Sequence, residues 1–321
     1  MSDVVELYGG RFVPRTPDQV PMPAKLTIEA FGGCNLRCPL CPTGQGLMER
    51  PRGPMKMAVF EEIMRQLGDY VKIIDFYNWS EPLLNRQLPQ MIRIARERGI
   101  HVIISTNLNV VPDAEALMAS GFNQFHFSCD AATAETYVIY RVGGDFNKVM
   151  QNLHALLRYR HLNPGGEIYW RFITFEHNKH EIPLVLEKCQ ELGIKPDICP
   201  MRVDMRQEIL LFEEDKIQKD ITWIPTDSPI YDKENGSKKQ RWDTCYKPWR
   251  EVVIDVDGSV MTCCSSYDRH YDMGNIMETP FVEIWNGALY RAAREYILYN
   301  TSSSDTRTIC HICKDNGYPD Y

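Results

Sequence analysis

The chain has no excess of positive charge. Its 36 lysines and arginines are outnumbered by 43 aspartates and glutamates, giving a formal net charge of −7. That argues against nucleic acid as a partner, since a phosphate-binding surface is usually basic. No apolar run approaches the roughly 18–20 residues that span a bilayer. The first residues, MSDVVELYGGRFVPRTP, lack the basic segment and apolar core of a secretion signal. A cytoplasmic location with no membrane attachment is therefore expected. No low-complexity tract and no internal repeat is visible. With 44% hydrophobic and 25% charged residues in 321, the composition excludes collagen-like and disordered chains. The length suits one large domain with a small appendage.

Cysteine is what the chain has in unusual amount. Eleven in 321 residues are too sparse for a disulfide scaffold, which is usually a short secreted chain. Their distribution is uneven. Three lie at Cys34, Cys38 and Cys41, and five at Cys245, Cys263, Cys264, Cys310 and Cys313, with Cys129, Cys189 and Cys199 scattered between. Clusters without a secretion signal point to metal.

From residue 25 to 203, β-rich runs (25–31, 72–78, 100–106, 123–129, 167–175 and 194–203) alternate with helix-like stretches (57–69, 86–98, 112–119, 133–140, 146–160 and 179–192). In the last of these, Ile182, Leu186, Cys189 and Leu192 recur at near-helical spacing. Alternating strands and helices imply a parallel sheet built by right-handed crossovers. Six units are too few for a closed eight-unit barrel, so an open partial (β/α)6 barrel is expected. Residues 1–24 then form an N-terminal extension and 25–203 the barrel. Charged, aperiodic residues 204–240 read as a connecting segment, and 241–321 as a small α+β domain. That last part holds a hairpin signal at Asp257-Gly258 and a helix-like segment over 281–298.

The first strand runs into FGGCNLRCPLCP, so Cys34, Cys38 and Cys41 fall in a strand-end loop with spacing C-x3-C-x2-C. In a β/α barrel such loops build the active face. Three thiolates suit a soft metal or an iron–sulfur cluster; a zinc site completed from afar and metal-free thiols are the alternatives. This pattern resembles the radical S-adenosylmethionine (SAM) superfamily. The resemblance implies a four-iron cluster with one open iron, which binds SAM and cleaves it to a 5′-deoxyadenosyl radical. Other strand ends fit in order. YNWSEPLLN resembles the family's Gly-Gly-Glu-Pro segment, placing Ser80 and Glu81 at the SAM amino group, with Trp79 where glycine is usual. STN (105–107) ends the third run. SCDAAT followed by ETYVIYRVGG resembles the segment whose serine and arginine hold the SAM carboxylate, here Ser128 and Arg141. Leu40 stands where the family usually has an aromatic residue.

The later cysteines allow a four-cysteine zinc ribbon on spacing alone. C-x12-G-x4-C followed by C-x2-C also resembles the auxiliary-cluster region called SPASM or, when shortened, twitch. By that resemblance Cys245, Cys263, Cys310 and Cys313 hold one auxiliary four-iron cluster. Four protein thiolates leave no open iron, so such a cluster moves electrons. The spacing is similar to that of the amino-cyclitol dehydrogenase of butirosin biosynthesis and related aminoglycoside oxidases and epimerases. The resemblance implies oxidation of an alcohol on a sugar or aminocyclitol, fed by an electron donor such as flavodoxin or ferredoxin. Two alternatives stand beside it: an epimerase in which Cys264 donates hydrogen, and a peptide-modifying maturase, disfavoured by the few residues before the first strand. Arg171 is a candidate substrate contact. His177, Cys129 and Cys199 are weaker candidates, and Cys189 reads as core.

Overall fold

The computed structural model describes residues 4–7, 11–14, 16–18, 20–202, 221–239, 245–266, 268–301 and 306–316. A short antiparallel hairpin, β1 (Val4–Leu7) and β2 (Arg11–Pro14), precedes the main sheet. Six parallel strands follow in chain order: β3 (Lys25–Ile28), β6 (Ile73–Phe76), β7 (His101–Thr106), β8 (Gln124–Ser128), β9 (Glu167–Thr174) and β10 (Lys195–Pro200). Between them run α1 (Met57–Leu67), α2 (Leu88–Glu97), α3 (Ala114–Met118), α4 (Ala134–Tyr140), α5 (Phe146–Arg158) and α6 (Ile182–Leu192). This is an α/β open barrel of six units with a C-terminal cluster-binding domain.

Strand alternation sorts the side chains. Leu26, Ile28, Ile74, Phe76, Val102, Ile104, Phe125, Phe127, Trp170 and Phe172 are fully buried in one core. They meet helix faces such as Val59, Phe60, Ile63 and Met64 of α1, the spacing of an amphipathic helix. On α6 the buried residues are Val185 and Cys189, while Leu186 is 45% exposed. The spacing of Ile182, Leu186, Cys189 and Leu192 places Leu186 on the apolar face, and the structure turns it outward. The helix starts only at Ile182, after a short 3-10 turn, and its inward stripe follows the i, i+4 pair Val185–Cys189.

The opposite sheet face is polar, which is unusual for a parallel sheet. Lys25 pairs with Asp75 (2.9 Å), Arg171 and His126 both reach Asp197 (2.8 and 2.9 Å), and Ser105 lies 3.3 Å from Ser128. The barrel interior is thus a wall of charged and hydroxyl groups. It is suited to a polar ligand, not to filling by apolar side chains.

The C-terminal part joins this sheet. After α7 (Lys247–Arg250), β11 (Glu251–Ile254) pairs in parallel with β3, Glu251 opposite Lys25 and Ile254 opposite Ile28. Strands β12 (Ser259–Met261) and β13 (Gly274–Asn275) extend the sheet antiparallel. Gly258 sits in the β11–β12 turn at φ +87°, a conformation that favours glycine. Helices α8 (Phe281–Trp285), α9 (Ala288–Tyr299) and α10 (Ile309–Asn316) follow. Much of the expected connecting segment, 204–220 and 240, lies outside the described residues, as do 203 and 241–244 beside it. Its described part does more than connect. Ile221, Trp223, Ile224, Ile230 and Tyr231 pack with Leu36, Cys38, Leu40, Tyr140, Phe175 and Met201 in a second apolar cluster. Among the described residues no helix is long and apolar enough to cross a membrane.

Candidate functional site

The first cysteine loop is closed at its base by a two-residue ladder, β4 (Phe31–Gly32) against β5 (Gly53–Pro54). A Cβ at Gly32 would overlap the Pro51 carbonyl, and one at Gly44 would overlap the Cys38 backbone. Both glycines let the loop fold tightly. Inside it Cys41 N donates to Cys38 O (3.1 Å) and Leu36 N to Cys34 Sγ (3.4 Å). Asn107 Nδ2 reaches Cys34 Sγ at 3.5 Å, and Arg141 Nη1 reaches Cys38 Sγ at 3.8 Å. Burial pushes the Cys34 thiol up to about 12 and the Cys38 thiol up to about 11, Cys34 also feeling Glu81, Cys38 and Cys41. One buried and two half-buried thiols on a single tight loop form a soft donor set. A cationic iron cluster would convert them to thiolates.

The residues proposed for SAM surround this loop. Glu81 is buried and accepts from Thr106 Oγ1 (2.6 Å), Asn107 N (2.7 Å) and Leu83 N (3.0 Å), while its own N–H donates to Gly33 O (3.0 Å). Burial raises its carboxyl to about 7 despite those donors. Ser80 Oγ donates to Glu29, whose other oxygen accepts from Trp79 N (2.9 Å). Ser128 ends β8 beside Ser105. Arg141, at the end of α4, pairs with Asp130, and its buried Nε has no hydrogen-bond partner. An orphaned guanidinium N–H near three cysteines fits an anionic group such as the SAM carboxylate. Asp130 caps no helix: Thr133 caps α4, while Asp130 takes φ +59° and accepts from Ile173 N (2.7 Å).

Sequence reasoning noted Trp79 only as a departure. Here Trp79 O accepts from Thr43 Oγ1 (2.5 Å), and its indole Nε1 donates to Cys264 O (2.5 Å). One residue thus ties the first cysteine loop to the second group. Arg50 makes a second tie and was missed. Its guanidinium contacts Asp272 Oδ1 (2.6 Å), Asp255 Oδ2 (3.3 Å) and the carbonyls of Ser266 (3.1 Å) and Asp268 (3.3 Å). Glu29 was missed too. It is buried, lies immediately after β3, and is raised to about 7 by burial against the Ser80 and Trp79 hydrogen bonds. With Thr43, Trp79, Ser80, Arg50 and Asp255 it lines a cleft of about 20 Å³, room for about one water-sized group. The only local signal for it was an acidic residue inside the apolar run KLTIEAF.

Cys263, Cys310 and Cys313 are buried and Cys245 is half-buried. Burial pushes Cys245 up to about 11 and Cys263 up to about 12, Cys263 also feeling Cys264 and Cys245; Cys310 lies well above the ordinary value for the same reason and feels Cys263 and Cys245. Cys245, Cys263 and Cys310 thus lie within electrostatic reach of one another. Buried Lys247 stands among them, 3.5 Å from Cys264 Sγ and 3.8 Å from Glu251. Burial alone would lower its ammonium; the thiols of Cys264, Cys263 and Cys245 and the Glu251 carboxylate outweigh that and raise it. A cation buried among thiols fits a site that carries negative charge. Among the described residues, no three His, Cys, Asp or Glu side chains converge as they would on one metal ion.

Arg171 lies on the polar sheet face, bonded to Asp197 (2.8 Å) and 3.2 Å from His126 Nδ1. Asp197 is held well below the usual carboxylate range by His126, against burial, and by Arg171. Cys199 shares that face, 3.2 Å from Asp197 Oδ1. His177 lies outside this group, among Phe175 and Trp223, with neither ring nitrogen hydrogen-bonded. Cys129 and Cys189 are fully buried packing residues.

A sequence profile of the radical SAM superfamily matches residues 28–165, and one of the SPASM iron–sulfur cluster-binding domain matches residues 245–315. The chain belongs to the radical SAM superfamily. It is a radical SAM enzyme with a SPASM domain, whose cofactors are SAM, a SAM-binding 4Fe–4S cluster and auxiliary iron–sulfur chemistry. It is 22% identical over 332 residues to the AdoMet-dependent heme synthase of Methanosarcina barkeri, covering 92% of each chain. It is 25% identical over 289 residues to a PqqA peptide cyclase of Granulibacter bethesdensis, covering 83% of this chain and 74% of that one. The structure of BtrN in complex with AdoMet and 2-DOIA superposes with a TM-score of 0.54 at 18% identity, over 87% of this chain and 88% of that one. At such identity the likeness to BtrN is one of fold.

Proposed function

We propose that this radical SAM enzyme oxidises an alcohol carbon of a small polar metabolite, a sugar or aminocyclitol. The observation that carries the reading is the unequal pair of cysteine groups, three in the loop after β3 with Cys38 beside Arg141, and four in the C-terminal part with Cys245 and Cys263 near Lys247, joined through one sheet with a polar inner face. In this reading residues 25–203 hold the SAM site and 241–321 the auxiliary cluster, with 204–240 between them. Cys34, Cys38 and Cys41 bind the first cluster, and Cys245, Cys263, Cys310 and Cys313 the second. Bound there, the cofactors supply a carbon-centred radical for hydrogen abstraction and a one-electron acceptor. Arg141 and Ser128 orient the SAM carboxylate, and Ser80 and Glu81 its ammonium. Arg171 positions a polar group of the substrate against the sheet. Glu29, with a carboxyl near neutrality beside a cleft, accepts the hydroxyl proton. The substrate carbinol thus loses one hydrogen atom, one proton and one electron, and leaves as a ketone. An external donor of flavodoxin or ferredoxin type provides the electron for SAM cleavage.

A second reading is epimerisation, with Cys264 returning a hydrogen atom to the substrate radical. The contact that bears on it, Lys247 Nζ to Cys264 Sγ at 3.5 Å, uses that sulfur as an acceptor, which favours the oxidase. The test is turnover of candidate amino-sugars and cyclitols in heavy water, followed by mass spectrometry. A product lighter by about 2 daltons, with no solvent deuterium, supports oxidation. A product about 1 dalton heavier than the substrate, carrying one solvent deuterium and lost in Cys264→Ala, establishes the epimerase instead.

A further inference from the structure

The C-terminal domain contains buried polar groups that its own chain leaves unsatisfied, and they gather around the second cysteine group. Thr262 Oγ1, Ser265 Oγ and Ser266 Oγ have no hydrogen-bond partner although all three residues are essentially fully buried. They flank Cys263 and Cys264 in sequence. The turn that carries them is tight, with Ser266 N donating to Cys263 O at 3.1 Å. Buried hydroxyls are almost always satisfied, so an orphaned trio marks an acceptor beyond the side chains.

Arg294 adds a charge of the same logic. It is completely buried. Nε donates to Pro248 O (2.9 Å), and Nη1 to Trp285 O (2.8 Å) and Pro17 O (3.3 Å), but Nη2 has no partner. No carboxylate lies in contact with it among the described residues. Its guanidinium stacks on Trp285 and Tyr290, 4.5 and 5.1 Å from the ring centroids. Burial pulls it down to about 10, and the groups that oppose this are Tyr290, then the thiol of Cys310, then Asp18. A buried guanidinium without a carboxylate is costly unless something anionic stands near.

We propose that Arg294, with the hydroxyls of Thr262, Ser265 and Ser266, sets the reduction potential of the auxiliary cluster, holding it high enough to accept an electron. A four-thiolate cluster gains a negative charge on reduction. Hydrogen-bond donors to its sulfurs and a buried cation beside one ligand both favour the reduced form. These are positioning residues, since they act through the cluster. The inference rests on the assignment of Cys245, Cys263, Cys310 and Cys313 as its ligands.

The experiment is a potentiometric titration of the reconstituted full-length protein, followed by electron paramagnetic resonance. Added SAM marks the first cluster's signal, so that the second can be read separately. In Arg294→Gln the auxiliary couple should move to more negative potential by about tenfold in its reduction equilibrium, 59 mV for one electron. Arg294→Lys should recover most of the shift. Thr262→Val, Ser265→Ala and Ser266→Ala remove single hydroxyls without touching charge, and each should shift the couple in the same direction by less. They decide the matter if Arg294→Gln does not fold. Unchanged potentials at full iron content would overturn the proposal. Zinc in the site, or full iron content in Cys245→Ala, would instead show that the ligand assignment itself is wrong.

Discussion

Replacing Arg50 by methionine tests how the two cysteine groups are held together. The guanidinium is 4% exposed, and its partners Asp255 and Asp272 are 2% and 15% exposed. Removing it strands two carboxylates and the carbonyls of Ser266 and Asp268 while leaving the aliphatic volume nearly filled. Breaking one side of a buried ion pair costs about 3–5 kcal/mol, far above the ~0–1 kcal/mol of an exposed pair. The pH dependence has a definite sign. Burial already raises the carboxyls of Asp255 and Asp272, and Arg50 pulls both back down. Without it they rise further, so the folded state holds protons that the unfolded chain releases. Stability is then lost as pH rises through those values. The penalty of Arg50→Met should be smaller at pH 5 than at pH 8. Arg50→Lys should fall between, since one ammonium cannot fork across four acceptors.

The assay is anaerobic urea unfolding of the reconstituted protein at both pH values, comparing midpoints, because bound clusters forbid a strict two-state treatment. A second readout is coupling. With the Cys263–Cys264 turn loosened, more 5′-deoxyadenosine should form per product molecule. A cost below about 1 kcal/mol, the exposed-pair range, or an equal cost at both pH values, would refute the reasoning.

Two further outcomes are expected. Alanine at Cys34, Cys38 or Cys41 should abolish SAM cleavage and lower iron from about eight to about four per chain, whereas Cys245→Ala should lower iron equally but still yield 5′-deoxyadenosine; SAM cleavage surviving the first set would sink the assignment. Glu29 and Glu81 are each raised from 4.5 to about 7, so each removes on the order of 3 kcal/mol of stability as pH climbs through that window. Without SAM, Glu81→Gln should flatten the fall in unfolding midpoint between pH 5 and 7.5, and an unchanged slope would contradict the burial argument.

Much of the barrel was legible because its signals are local. Alternation in KLTIEAF or IHVIIST marks a strand with one core face, and the cysteine spacing at 34–41 needs no partner elsewhere to be noticed. What escaped depends on distant chain. Nothing in EVVI says that it will lie parallel to β3, more than 220 residues earlier; read locally it is one arm of a hairpin. Arg50 finds its carboxylates 205 and 222 positions away, and in sequence it is one arginine in a loop. Leu40 looked like a lost aromatic contact. The structure gives it an apolar neighbourhood of Tyr140, Phe175 and Ile224, supplied partly by a segment whose charged composition suggested a plain linker.

The parallel pairing of β11 with β3 also bears on how the enzyme handles a radical. Two domains joined by a linker move relative to one another by default, because interfaces within a chain are modest and polar. Here the C-terminal part is not merely docked. Glu251–Ile254 continues the sheet residue for residue along Lys25–Ile28, and β3 leads directly into the first cysteine loop. Trp79 and Arg50 then link that loop to the Cys263–Cys264 turn by hydrogen bonds that a Gly in place of Trp79 could not fully supply. The separation of the two cysteine groups is therefore set by a backbone ladder and two short side-chain ties. In the oxidation proposed above, a substrate radical formed against the polar inner face would find its electron acceptor already in place, with no domain closure needed between abstraction and quenching.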